Sequence, residues 1–163
     1  MNQLLSILIW ALPISFCLHV TEEFAFPGGF IKWYHKYRPQ FSGVKPFHYF
    51  KVNAIGFLLV LATAILTAST GKGYGGLLVV SGILSCNAII THITGAVKTR
   101  HYSPGMITGA ICYIPLTVLS YLSVFASGKL DLATMIVCIA LSPLLEIVFL
   151  KKPARNLSKS KLS

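Results

Sequence analysis

The sequence predicts an all-α, polytopic membrane protein of about five transmembrane helices in one bundle. Three observations predict it. The 163 residues are 55% hydrophobic and only 11% charged, with mean hydropathy +0.73, whereas a soluble domain carries about a quarter charged residues. Five apolar stretches, 4–24, 53–69, 75–97, 105–126 and 130–150, each come near the ~20 residues a helix needs to cross about 30 Å of hydrocarbon. Third, the Lys and Arg residues alternate between connections. Twelve fall in 32–51, 98–100 and 151–163, and two, Lys72 and Lys129, fall in the others. The positive-inside rule then places the N-terminus outside and the C-terminus in the cytoplasm. A barrel is excluded because no alternating ten-residue pattern is present. The net charge of +10 therefore reads as topology, and no nucleic-acid partner is expected. Residues 1–152 form a single transmembrane domain, and 153–163 a basic cytoplasmic tail.

The first span lacks a basic n-region and an A-x-A-like site, so it is a true span rather than a signal peptide. It ends in His19-Val20-Thr21-Glu22-Glu23, which holds two of the four acidic residues in the chain. Pro27-Gly28-Gly29 stops the helix. The long connection after it mixes Trp33, Tyr34, Tyr37, Phe41, Phe47 and Tyr49 with basic residues, a composition that favours the headgroup zone. The segment 30–37 is expected to lie there as a short interfacial helix.

Asn53 opens the second span, and Gly71, Gly73, Gly75 and Gly76 make its link to the third tight. Asn87, Thr91 and His92 lie on the third. Lys98, Arg100 and His101 lead into Tyr102-Ser103-Pro104-Gly105 at the start of the fourth. Free amides at a helix start beside basic side chains make an anion site, with a lipid phosphate or carboxylate as the expected occupant. Pro115 and Pro143 each remove a helical hydrogen bond and can kink the fourth and fifth spans. Glu146 sits deep in the fifth. The four cysteines lie in four different spans with no CxxC spacing, and are read as small hydrophobes.

At 1.5 Å per residue, His19 lies roughly 22 Å from the outer edge of its span, Asn87 roughly 18 Å, His92 roughly 26 Å and Glu146 roughly 24 Å. The embedded His and Glu residues thus gather in the inner third, where ionisable groups are costly and mark function. His19, Glu22 and Glu23 share a helical face by their spacing. Two adjacent carboxylates need a shared cation or proton, with Lys98 and Arg100 as further compensators. The azimuth of His92 relative to His19 is left open.

The ordered set His19-x-x-Glu22-Glu23, a later helix with His92, and Tyr102-x-Pro104-Gly105 resembles the HXXEE-domain integral membrane proteins, over roughly residues 4–121. The resemblance implies a small bacterial multispanning protein and makes His19, Glu22, Glu23, His92, Tyr102, Pro104 and Gly105 signature positions. It supplies no substrate.

The residues support a membrane-embedded metal-dependent hydrolase or transferase acting on a lipid-like or prenyl-like substrate near the cytoplasmic leaflet. Its expected metal ligands are His19 and His92 with either Glu22 or Glu23, a His₂Glu set with an open position, the other Glu acting as general base, with zinc preferred over iron. Glu23 and Tyr102 are the catalytic candidates. Asn53, Asn87, Arg100, Gly105 and Glu146 are the substrate-binding candidates. The alternatives are a metal-free proton-coupled carrier, a metal-free acid–base enzyme, and an accessory subunit whose glutamates pair with Lys98 and Arg100. Membrane lipids are the expected partners, the bacterial inner membrane the expected location, and the oligomeric state stays open.

Overall fold

The computed structural model describes residues 3–150, with side chains through Val148. The tail expected over 153–163 lies outside the described residues. All regular structure in this range is helical. Helix α1 is Gln3–Phe24, α2 is Phe30–Tyr37 and α3 is Pro46–Thr70. Helix α4 runs Tyr74–Thr99 and α5 runs Met106–Ala126. Helix α6 is Leu132–Leu150. Four of them (α1, α3, α4 and α5) are long and apolar enough to cross a membrane, and α6 is a shorter apolar helix over Leu132–Val148. Their outer faces carry large exposed apolar side chains, such as Ile14 at 61%, Leu58 at 62% and Val137 at 61%. Surfaces of that kind belong in lipid, and the chain reads as an integral membrane protein.

Helix boundaries follow local chemistry. Helix α2 covers Phe30–Tyr37, the range its aromatic and basic pattern predicts. The second span begins at Pro46, seven residues before the expected Asn53, because Lys45 is extended and Pro46 occupies the first turn. Proline suits that position, where its missing N–H is no loss. Asp131 caps α6, its two carboxylate oxygens accepting from the Thr134 amide and hydroxyl at 2.9 and 2.7 Å.

Helix α4 is the hub, packing against α3, α5 and α6, while α1 packs against α3 and α5. Small residues let the helices approach, as expected where dispersion rather than the hydrophobic effect joins them. A Cβ at Gly82 of α4 would lie 2.3 Å from Ser142 Oγ of α6, and one at Gly109 of α5 would lie 2.8 Å from Ala88 Cβ of α4. The core between these helices is built from Leu5, Ile9, Leu12, Leu77, Leu78 and Tyr113, among others.

Two helices are interrupted by wide π turns, Ala88–Ile93 in α4 and Gly109–Tyr113 in α5. Such turns concentrate at functional sites. The second precedes Pro115, whose ring would otherwise press on the carbonyl one turn back. The first carries His92.

Candidate functional site

Helix α1 brings His19 and Glu23 to one face, one turn apart, and the π turn of α4 brings His92 against them. The three residues are 4%, 4% and 0% exposed. Nε2 of His19 lies 3.6 Å from Glu23 Oε1, and Nε2 of His92 lies 3.3 Å from the same oxygen. The imidazole rings stand 4.9 Å apart at 87°. One ligand atom from each residue falls within 4.8 Å of the other two. Around a tetrahedral ion with bonds of about 2.0–2.1 Å, ligand atoms sit roughly 3.3–3.4 Å apart. The two imidazole–carboxylate separations come close to that spacing and the whole group lies within 4.8 Å, so a small inward shift of the rings would let it hold one divalent cation and leave a fourth position free.

The other ring nitrogens fix how the imidazoles present themselves. His19 Nδ1 is 2.9 Å from Thr108 Oγ1. The Thr108 hydroxyl has one proton, and its acceptors are Glu22 Oε2 at 2.5 Å and the Gly105 carbonyl at 3.5 Å. Neither acceptor can donate. Thr108 therefore receives the His19 Nδ1 proton, which leaves Nε2 with a bare lone pair in the neutral ring. This assignment comes from the hydrogen-bond network rather than from observed hydrogens. Two acceptors, His19 Nε2 and Glu23 Oε1, then face each other across 3.6 Å, an arrangement that calls for a cation or proton nearby. His92 Nδ1 is likewise engaged by Ser103 Oγ at 3.0 Å, while its buried Nε2 has no hydrogen-bond partner among the described residues and faces Glu23 at 3.3 Å. Ligating histidines are held by such outer partners.

Glu22 goes elsewhere. Its Oε1 accepts from the Tyr102 hydroxyl and, at 3.0 Å, from the Ile107 amide. Its Oε2 accepts from the Thr108 amide at 2.7 Å and the Thr108 hydroxyl. The anion site expected at the start of the fourth span exists, and the chain's own carboxylate fills it. The positive end of α5 thereby compensates a carboxylate lodged at the negative end of α1. Both oxygens of Glu22 are committed, so the structure does not bring it into the ligand group. Residues 22 and 23 project about 100° apart on a helix, which sends them to different neighbours.

Tyr102 serves Glu22 rather than the cavity. Desolvation, and then its bond to Glu22, hold the phenol well above its ordinary range, so it stays a donor. Its position supports an anchoring role, not the catalytic one expected. Arg100 is exposed and lies outside the cavity lining. Gly105 is a spacer: at φ 97°, a Cβ there would lie 2.6 Å from His92 Cε1 and 2.8 Å from His19 Cε1. Among the described residues, the ion pairs of the α1 carboxylates are with His19 and His92 only. Pairing with Lys98 or Arg100 is not seen.

His19 and Glu23 open onto a cavity of about 330 Å³ that Asn53, Asn87 and Glu146 also line, as their expected depth implied. Asn87 Nδ2 donates to Glu146 Oε1 at 3.1 Å, and Asn53 Nδ2 donates to the Tyr49 carbonyl at 3.1 Å. Most of the remaining wall is apolar, from Phe16, Val60, Ile83 and Leu84. Val52, Ile55 and Leu59 line it while being 49%, 59% and 55% exposed. The mouth therefore opens on the apolar flank of α3. Helix α2 covers the opposite side. Phe30 and Tyr34 line the cavity, and Trp33 stacks on His92 at 6.2 Å and 12°. Gly95 permits that stacking, since a Cβ there would lie 2.6 Å from the indole.

Sequence reasoning did not single out Thr108, Ser103, Trp33 or Tyr113 for the site. Tyr113 lies 4.7 Å from His19, ring to ring. Ser103 stood inside a quoted motif, but hydroxyls on apolar helices carry no mark that separates site from scaffold.

A protein family described as "Protein of unknown function with HXXEE motif" matches residues 10–120. No curated protein and no solved structure matches the chain.

Proposed function

Given that the chain belongs to the HXXEE family, whose function is unknown, we propose that it is a membrane-embedded, metal-dependent hydrolase or transferase acting on a lipid-like substrate. The observation that supports this reading is the convergence of His19, Glu23 and His92 at the edge of an apolar cavity open to lipid. Two imidazoles, one carboxylate and a free fourth position match the donor set of catalytic zinc sites, so zinc is preferred over iron. Bound there, the cation would supply Lewis acidity and acidify a water. The chain's residues do the rest. Thr108 and Ser103 hold the two Nδ1 atoms and so aim both Nε2 atoms at Glu23. Phe30 and Tyr34 wall the pocket, and Trp33 backs His92. The cavity admits an amphipathic or prenyl-like chain from the membrane. Its position at the Lys- and Arg-rich end favours the cytoplasmic leaflet, and the family's character favours a bacterial inner membrane.

Elemental mass spectrometry of the detergent-purified protein tests the reading. The expected result is about one metal per chain, lost in His19→Ala and in Glu23→Ala. No metal after mild purification, and none taken up from added zinc or iron, would overturn it. Metal-free acid–base chemistry, with a proton between Glu23 and an imidazole, would then be the better account.

A further inference from the structure

We infer that the cavity takes a single-chain amphiphile with an uncharged hydroxyl head, and that Glu146 receives that head. The inference rests on the proposal above in taking this cavity as the substrate's, and a cation at the His19–Glu23–His92 group is what sets the alcohol apart from the amine.

The charges around the cavity are one-sided. Its lining holds two carboxylates, Glu23 and Glu146, and neither Lys nor Arg. Two imidazoles, His19 and His48, also line it, and Arg38, over the Tyr37 ring at 5.2 Å, acts on Glu146 through space without lining the cavity. The helix-start amides that could have held an anion are filled by Glu22. An anionic head could reach the cation, but it has no proton to give Glu146 and would meet that carboxylate's charge with no donor cluster beside it, which is discrimination by an unfavourable contact.

Glu146 is placed to bind a donor. Its side chain is 4% exposed, and Asn87 holds Oε1. Among the described residues no group donates to Oε2, although the residue faces the cavity. A hydroxyl can donate to that oxygen and keep its lone pairs for a cation at the His–Glu group. An ammonium head has no lone pair to offer and would be repelled by the cation. Size and access select the rest of the ligand. About 330 Å³ sits at the low end of the roughly 300–1,000 Å³ of ligand pockets, which suits one chain rather than two. The apolar walls and the mouth on the α3 flank suit entry from the bilayer.

The test uses the full-length protein in phosphatidylcholine nanodiscs with three photoreactive dodecyl-diazirine probes at equal mole fraction: the alcohol, the amine and the carboxylic acid. Labelled peptides are mapped by mass spectrometry. The alcohol is expected to label the α3 and α4 cavity peptides at least about tenfold more than the acid, the scale of a like-charge contact in a poorly screened site. Glu146→Gln, which keeps an oxygen for Asn87, is expected to bring that ratio close to one. Acid or amine labelling that equals or exceeds the alcohol's in the wild type overturns the inference. So does a ratio that Glu146→Gln leaves unchanged. Metal content of the same samples separates the two readings. An alcohol preference without metal sinks the metal centre alone, whereas metal without the preference sinks the head-group assignment alone.

Discussion

The pocket that receives Glu22 and the pocket that receives Glu23 begin one residue apart on the same helix, and they have opposite chemistry. Glu22 meets four donors at the start of α5, two of them backbone amides. Glu23 meets two imidazole nitrogens and a cavity. One carboxylate is saturated and ties α1 to α5. The other is short of positive partners and is buried nonetheless. A buried acid that lacks compensation is costly unless something else arrives, and under the proposed metal site the two glutamates divide structure from chemistry between them.

The largest expected effect tests the structural half. Glu22→Ala strips the acceptor from the α5 amides and from Tyr102 and Thr108, and should cost about 2–4 kcal/mol, read as a fall in melting temperature in detergent. Glu23→Ala in the metal-free protein should cost less than about 1 kcal/mol, because it removes an unmatched buried charge. Equal losses in the two variants would erase the distinction. Zinc at a hundred times its Kd should stabilise the wild type by about 2.7 kcal/mol, and that gain should vanish in Glu23→Ala and survive in Glu22→Gln. Next comes Thr108→Val, which keeps shape but removes the hydroxyl joining the two pockets. Its zinc affinity should fall about tenfold, at the mild end of outer-shell changes. Competition with a chelating dye reads it, and an unchanged affinity would mean that Thr108 does not set the His19 tautomer. The smallest effect belongs to Arg100→Gly. It should leave zinc binding untouched and stability within about 0.5 kcal/mol, whereas a loss of zinc would restore Arg100 to the site.

Much of this was legible in the residues. Apolar length gave the helices, and aromatic–basic mixing placed α2 to the residue. Depth counting gathered His19, Glu23, His92, Asn87 and Glu146 before any fold was known, because charge in lipid is rare enough to be informative. The division between Glu22 and Glu23 was not legible. Helical spacing places them on a common side, but a 100° difference is enough for each to find another partner, and the partner of Glu22 lies 85 residues away at Ile107 and 86 away at Thr108. The facing of His92 was hidden for a related reason. It rides a π turn, and the extra residue in such a turn shifts the side chains beyond it around the helix. No apolar pattern announces that shift. Thr108 and Ser103 were hidden by their ordinariness.

The mouth beside Val52, Ile55 and Leu59 opens on an exposed apolar flank of α3, a surface that belongs in hydrocarbon. Anything that enters there is counted per area of membrane, not per volume of solution. Encounters are then two-dimensional, so turnover would follow the mole fraction of substrate among the surrounding lipids and would fall when inert detergent dilutes the film, even at constant bulk concentration.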